Sequence, residues 1–177
     1  MGRAFIENHS SAKEFGKEVG EFIATELRHD TLLGPFTSIP HSAFHCSPLM
    51  TRPKDITKRR VIVDLSYGDI SVIGMTDKET YEGIHFQLQL PTLDHVLNQI
   101  LHLKNPRLIK ADISWAFRNV PVDPGDAIKC GIAHEGHYYV DKHLVFGAMN
   151  GTMIFQRISD AMLKCENIQV WTYSVYR

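Results

Sequence analysis

The sequence predicts an α+β fold, because helical and strand-like patterns follow one another in mixed order along its 177 residues. Apolar side chains recur at helical spacing over residues 11–28, 92–104 and 152–165. β-branched and other apolar residues dominate two short runs, 59–65 and 107–112, as is typical of strands. Apolar residues make up 44% of the chain, which is enough for a hydrophobic core.

The predicted helices carry signals for where they begin and end. Ser11 and Glu14 match the spacing of a capping box at the start of the first helix. Pro91 precedes the second helix, and Asn105-Pro106 stops it. The third helix is predicted to bury one face, formed by Ile154, Phe155, Ile158, Ala161, Met162 and Cys165.

Turn residues separate two pairs of strand-like runs and so predict two β-hairpins. The pairs are 59–65 with 70–75, around Tyr67-Gly68-Asp69, and 127–133 with 137–140, around Glu135-Gly136. Residues 168–176 alternate like a further strand. Residues 31–56 are predicted to be loop, because prolines interrupt them at Pro35, Pro40, Pro48 and Pro53.

The charge of the chain is unevenly distributed. Its formal net charge of −1 is unlike that of most nucleic-acid-binding domains, which are basic. Between residues 52 and 60, however, Asp55 is the only acidic residue among several cations. This segment fits either a phosphate-binding tip or a solvated loop. Its basic residues are Arg52, Lys54, Lys58, Arg59 and Arg60.

The cysteines and histidines match no standard metal site. Cys46, Cys130 and Cys165 are widely spaced, and they form neither a CxxC pair nor a disulfide framework. The spacing of His134 and His137 differs from that of the HExxH motif. The odd cysteine count fits a reducing compartment, so we expect an intracellular protein, in the cytoplasm or nucleus. No apolar run is long enough to span a membrane, and no membrane partner is expected.

Asp112 ends the apolar run that begins at Arg107, and Phe117 follows it five residues later. A carboxylate at the end of a buried strand can hold Mg²⁺ against a triphosphate. Taken alone, however, an aspartate in such a place is more often a turn former or a helix cap.

Further segments accompany this motif in a defined order. Gly34-Pro35-Phe36 comes first, followed by the stretch SPLMTRPKDITKRRVIVDLSY that ends at Tyr67. After Asp112 come HYYVDKHLVFG, which ends at Gly147, and a helical pattern that contains Ile154-Phe155-Gln156. Together these segments resemble the reverse transcriptase domain of retroelements, and most closely that of the DIRS-like, tyrosine-recombinase retrotransposons. The resemblance covers most of residues 30–165.

The resemblance implies an RNA-directed DNA polymerase that transfers deoxynucleotides to a template-primer by a two-metal mechanism. It also implies the fingers and a partial palm of a right-hand polymerase, truncated before the thumb. The implied segments are 1–40 (N-terminal helix and loop), 41–90 (fingers), 91–118 (palm segment), 119–150 (fingers return) and 151–177 (palm helix and final strand).

The resemblance also implies the roles of individual residues. Asp112 would be the catalytic carboxylate and a ligand of Mg²⁺. Arg60, assisted by Lys54 or Lys58, would contact the triphosphate of the incoming nucleotide. Phe117 would exclude the 2′-hydroxyl, although a core aromatic is an alternative reading. The nucleotide-binding residues implied are Arg60, Lys54, Lys58, Phe117, Phe146 and Gly147.

The chain departs from the family pattern at its carboxyl end. The family supplies a pair of aspartates from a Tyr-x-Asp-Asp hairpin, whereas Tyr173 is followed here by Ser174, Val175 and Tyr176. Val145 also stands where the family has proline. We therefore expect a truncated or decayed polymerase fragment that is inactive alone. A non-catalytic nucleic-acid or nucleotide-binding module and an interaction protein on the same scaffold remain alternatives.

Overall fold

The structure, a computed structural model, describes residues 4–68, 71–75, 80–81, 84–85, 92–107, 112–148 and 150–165. The chain divides into two compact units, the first made of residues 1–78 and 115–151 and the second of 79–114 and 152–177. The described helices are α1 (Ser10–Glu14), α2 (Gly16–Arg28), α3 (Val72–Met75), α4 (Leu93–Leu101), α5 (Pro124–Ala127) and α6 (Gly151–Cys165), with a 3-10 helix at Phe117–Asn119. The described strands are β1 (Ala4–Phe5), β2 (Leu32–Phe36), β3 (His45–Cys46), β4 (Leu49–Pro53), β5 (Arg59–Val63), β6 (Thr80–Tyr81), β7 (Ile84–His85), β8 (Gly131–His134) and β9 (His137–Asp141).

A small mixed sheet forms the centre of the first unit, with the strand order β1-β3-β8-β9-β2. β3 runs parallel to β1 and β8, whereas β9 runs antiparallel to β8 and β2. Successive residues of a strand face opposite sides of the sheet. Tyr139 accordingly packs in the core cluster that contains Val19 and Ile23 of α2, and Val140 packs with Phe44 in a second cluster. The mixed α and β composition agrees with the predicted fold class.

Helices α1 and α2 occupy the region predicted to be one amphipathic helix. The chain leaves helical geometry at Phe15 and then resumes it. Val19 and Ile23 are buried, while Phe22 and Leu27 pack against the same cluster, so the predicted apolar face is confirmed.

The predicted capping box at Ser11 and Glu14 is wrong. The cap position of α1 is His9, and no side chain caps this helix. Ser11 instead accepts a hydrogen bond through Oγ from the backbone N–H of Thr51, at 3.1 Å, and Thr51 Oγ1 donates to the Ser11 carbonyl. The serine therefore joins α1 to β4, because a long-range partner competes successfully with the local cap.

The second predicted hairpin is confirmed as β8 and β9, with Glu135 and Gly136 at positive φ in the turn. Its first strand is shorter than predicted, since residue 127 ends α5. Gly131 permits a close approach to the neighbouring strand. A Cβ atom on Gly131 would lie 2.3 Å from the buried ring of Phe44, so only glycine fits there.

The prediction that residues 31–56 form a loop is wrong, because β2, β3 and β4 all lie within this region. The prolines limit strand length without preventing strands. Pro35 lies at an irregularity in the pairing of β2 with β9, and Pro53 is the last paired residue of β4. Proline is tolerated at such irregularities and strand ends, where its missing N–H costs no ladder hydrogen bond.

The first predicted hairpin has a different partner strand. Residues 59–63 form β5 as expected, but they pair with the preceding strand β4, from Leu49↔Val63 to Pro53↔Arg59. Val72–Met75 is helical, so the predicted pairing with residues 70–75 is wrong. The five-residue connection between β4 and β5 is short enough to favour pairing of these neighbours.

The second unit contains α4, the short hairpin of β6 and β7, and most of α6. Both longer helices lie where they were predicted, but the expected buried face of α6 is only partly buried. Phe155 is buried, whereas Ile154, Ala161 and Met162 are exposed. Most of the predicted strand 107–112 and all of 168–176 fall outside the described residues. None of the helices in the described part of the chain is long and apolar enough to cross a membrane.

Candidate functional site

The β4–β5 hairpin presents two arginines side by side. Arg52 pairs directly with Arg60 across the two strands, and both residues are exposed. Side chains that lie directly opposite each other point to the same face, where like charges repel. The exposed face of this hairpin therefore concentrates positive charge at the cost of some stability.

Arg59, the neighbour of Arg60, makes contacts within the fold. Its guanidinium lies 3.6 Å from the centre of the Phe15 ring, and its Nε donates to Thr51 Oγ1 at 3.0 Å. Strand alternation explains the difference, because Arg59 shares the inward face with Val61 whereas Arg60 faces outward. Within residues 52–60, Arg59 therefore anchors the hairpin to the fold, whereas Arg60 is exposed.

The tip of the hairpin is a well-defined turn that carries Lys54 and Lys58, both exposed. The Asp55 carboxylate accepts hydrogen bonds from the Thr57 backbone N–H and the Lys58 backbone N–H, each at 2.8 Å. These bonds, led by the one from Thr57, hold the pKa of Asp55 below its usual value. The Asp55 carboxylate is therefore hydrogen-bonded within the turn. Its single charge does not fully neutralise Lys54 and Lys58 beside it.

The root of the hairpin is tied to α1. The Asp64 carboxylate lies 3.1 Å from His9 Nε2, and it also accepts hydrogen bonds from Ser66. Burial raises the pKa of Asp64, but the bonds from Ser66 and His9 lower it by more. The ring of Tyr67 packs edge-on against His9, with 4.6 Å between ring centres. The segment Asp64-Leu65-Ser66 therefore fixes the base of the hairpin.

The structure brings together two of the predicted nucleotide-binding aromatics. Phe117, in the 3-10 helix, is 5% exposed, and its ring centre lies 5.0 Å from that of Phe146, which is 54% exposed. Gly147 follows with a φ of +92°, a conformation that favours glycine. The half-exposed ring of Phe146 therefore packs against the buried ring of Phe117.

A buried ion cluster next to Phe117 was missed by sequence reasoning. Arg118 donates from Nη1 to both carboxylate oxygens of Asp141, at 2.8 and 2.6 Å, and from Nε to Glu26 at 3.0 Å. Thr31 also donates to Glu26. Burial lowers the pKa of Arg118, but the two carboxylates raise it by more, so the guanidinium stays charged. The sequence carried a signal for it, since Asp141 directly follows the apolar residues Tyr139 and Val140.

Asp112 lies in the second unit, whereas the other predicted site residues lie in the first. It is exposed and outside any helix or strand. In the part of the chain that the structure describes, no group of three or more His, Cys, Asp or Glu side chains could hold a metal ion. A hard cation such as Mg²⁺ needs several oxygen ligands, so a lone carboxylate does not constitute a fitting site. Asp123 caps α5 by accepting a hydrogen bond from the Gly125 backbone N–H, and Asp126, within α5, accepts one from Lys129 Nζ.

No protein-family model and no curated protein matches this sequence. Among solved structures, the chain is similar to the native crystal structure of the Prototype Foamy Virus protease-reverse transcriptase. The TM-score is 0.65 at 18% identity, over 97% of this chain and 20% of that one. A foamy viral protease-reverse transcriptase in complex with dsDNA matches with a TM-score of 0.63 at 20% identity, over 99% of this chain and 32% of that one.

These similarities show a reverse transcriptase-like fold. The present chain spans only about a fifth to a third of the length of the viral proteins that it matches.

Proposed function

We propose that this chain binds template-primer nucleic acid and deoxynucleoside triphosphate, as the amino-terminal fingers and partial palm of an RNA-directed DNA polymerase from a DIRS-like retrotransposon. The observation that carries this proposal is the exposed Arg52–Arg60 pair on the β4–β5 hairpin, within a reverse transcriptase-like fold. The proposal includes an intracellular location, in the cytoplasm or nucleus.

The charges of the hairpin favour an anionic partner. Two guanidinium groups held on one face repel each other, and the repulsion is relieved when phosphate oxygens lie between them. Planar guanidinium groups suit phosphate because they can donate two parallel hydrogen bonds. Lys54 and Lys58 extend the same positive surface to the tip. Because the whole chain has a net charge of −1, this positive charge is local and marks a specific surface.

In this proposal Arg60 contacts the triphosphate with help from Lys54 or Lys58, and Phe117 supports the sugar side of the nucleotide pocket. The Phe146-Gly147 segment lies under the base and template, supported by the ring contact between Phe117 and Phe146. Asp112 is the proposed catalytic carboxylate. Mg²⁺ would supply charge neutralisation at the reacting phosphate, but the described residues do not form a site for it.

The first test measures how affinity for nucleic acid depends on salt. Each phosphate contact contributes about 0.7 to 0.9 to the slope of log K against log salt concentration. We expect Arg60→Gln to weaken binding of a short primer-template by the full-length chain and to reduce this slope by about one contact. Arg28→Gln is the matched control, since Arg28 is an exposed arginine at the end of α2. Equal slopes for wild type and Arg60→Gln would contradict the proposal.

A non-catalytic binding module is the second candidate. It is favoured by the exposed position of Asp112 in the absence of a metal-binding cluster among the described residues. Both candidates predict the same effect of Arg60→Gln on binding. They differ in whether the protein in its natural context extends a primer in a way that depends on Asp112.

A further inference from the structure

The tip of the β4–β5 hairpin carries an apolar side chain that the fold does not use. Ile56 is 104% exposed, so none of the described residues covers its side chain. Burying an isoleucine typically stabilises a fold. None of that stabilisation is obtained here. Single exposed apolar residues are common on protein surfaces, so the exposure alone does not indicate a function.

The turn presents Ile56 in a defined direction. The backbone N–H of Lys54 donates to the Lys58 carbonyl at 2.8 Å, and that of Asp55 donates to the same oxygen at 3.2 Å. Asp55 accepts three hydrogen bonds from Thr57 and Lys58. These contacts close the turn on both sides of Ile56, whose β-branched side chain has few rotamers. A partner would therefore meet a side chain that loses little conformational entropy on binding.

Cations flank this apolar tip. Lys54 and Lys58 flank it in sequence, and the exposed Arg52–Arg60 pair lies further down the same hairpin. An apolar side chain flanked by positive charges matches nucleic acid whose bases are unpaired. Phosphates lie on the outside of such a strand, and the apolar faces of its bases are accessible. Proteins also insert aliphatic side chains between bases that they unstack.

We infer that Ile56 packs against an unpaired base of a nucleic-acid strand whose phosphates are held by Lys54, Lys58 and the Arg52–Arg60 pair. This inference rests on the proposed binding of nucleic acid and adds a contact to bases. Such a contact is apolar, so it contributes to affinity without a change in salt dependence. The cations contribute the salt-dependent part.

The test compares two short single-stranded oligonucleotides of equal length and charge, one with bases and one with abasic residues throughout. Both are titrated with the full-length chain at several salt concentrations. We expect Ile56→Ser to weaken binding of the base-containing strand about fivefold, as for partial burial of one isoleucine. The salt slope should be unchanged, and the variant should bind the abasic strand as the wild type does.

Ile56→Phe is the rescuing variant, because a ring stacks on a base at least as well as an aliphatic group. We expect it to equal or exceed the wild type on the base-containing strand. Leu101→Ser is the matched control, since Leu101 is 80% exposed and lies in the other unit. We expect this control to bind like the wild type. Ile56→Ser should also leave the thermal unfolding temperature unchanged, because the side chain of Ile56 is fully exposed.

Several outcomes would overturn the inference. Equal affinity of wild type and Ile56→Ser for the base-containing strand would do so, as would an equal loss on the abasic strand. Binding to phosphatidylserine vesicles that depends on Ile56, without an effect on DNA, would assign the tip to membranes instead. If the wild type binds neither strand, the result would contradict both the proposed function and the inference. Salt-dependent binding that is unchanged in Ile56→Ser would contradict the inference but not the proposed function.

Discussion

Adjacent, chemically identical residues have different roles in this protein. Arg59 stacks on Phe15 and bonds Thr51, whereas Arg60 is exposed beside Arg52. The difference follows from the two-residue period of a strand, which turns successive side chains to opposite faces. At the residue scale, function therefore depends on the face of the strand as much as on residue type.

His45 offers a prediction at the same scale. It is buried, and its Nε2 atom has no hydrogen-bond partner among the described residues. Burial lowers the pKa of His45 from its ordinary value of 6.5. Below pH 6.5 the unfolded chain therefore takes up a proton that the folded chain excludes. The contribution of His45 to stability is complete above this pH and is lost as the pH falls.

We expect the urea-unfolding free energy to decrease from pH 8 to pH 5 less steeply in His45→Gln than in the wild type, because glutamine does not titrate. His102→Gln is the control, since His102 is exposed on the other unit. Identical pH profiles for wild type and His45→Gln would show that the folded chain accepts the proton at His45.

At the scale of elements, a buried ion cluster joins three parts of the first unit. Glu26 comes from α2, Arg118 from the 3-10 helix and Asp141 from the end of β9. The backbone N–H of His143 also donates to Asp141 at 3.0 Å, which fixes the chain that leads to Phe146. The cluster thus supports the segments on both sides of the Phe117–Phe146 contact.

Removing the cation alone should be costly. Arg118→Met leaves Glu26 and Asp141 buried without a counter-charge, and we expect a loss of about 3–5 kcal/mol in the urea-unfolding free energy. Replacing all three residues, as Glu26→Met, Arg118→Met and Asp141→Leu, should restore much of this loss, since no buried charge then remains. Arg107→Met is the control, because Arg107 is exposed. A loss below about 1 kcal/mol in the single variant would mean that the carboxylates are hydrated or protonated.

At the scale of the whole molecule, residues 1–177 on their own should not extend a primer. Two-metal nucleotidyl transfer requires several carboxylates around the reacting phosphate. The resemblance to reverse transcriptases implies one catalytic carboxylate at Asp112, but Ser174, Val175 and Tyr176 follow Tyr173 where it implies the aspartate pair. We expect no incorporation on a defined primer-template with Mg²⁺ or Mn²⁺, at least about 10³-fold below a complete enzyme. Incorporation that disappears in Asp112→Ala would contradict this expectation.

Much of the fold could be predicted from local patterns. The apolar periodicity of α2, α4 and α6 indicated these helices, and turn residues indicated the β8–β9 hairpin. The basic composition of the β4–β5 hairpin was also visible in the sequence. These features depend on residues within one turn or one strand of each other, so a short stretch of sequence is sufficient to specify them.

Other features depended on contacts between distant segments. The sequence alone predicted a strand over 59–65 with a basic neighbourhood. The tertiary structure decided that β4 is its partner and that Arg60, and not Arg59, is exposed. The tertiary structure also brought Arg118 to Glu26, a residue 92 positions away. The physical reason is that burial and pairing are properties of the packed chain. The partners of a side chain depend on which segments come together when the core forms. The local periodicity of the sequence does not specify which segments these are.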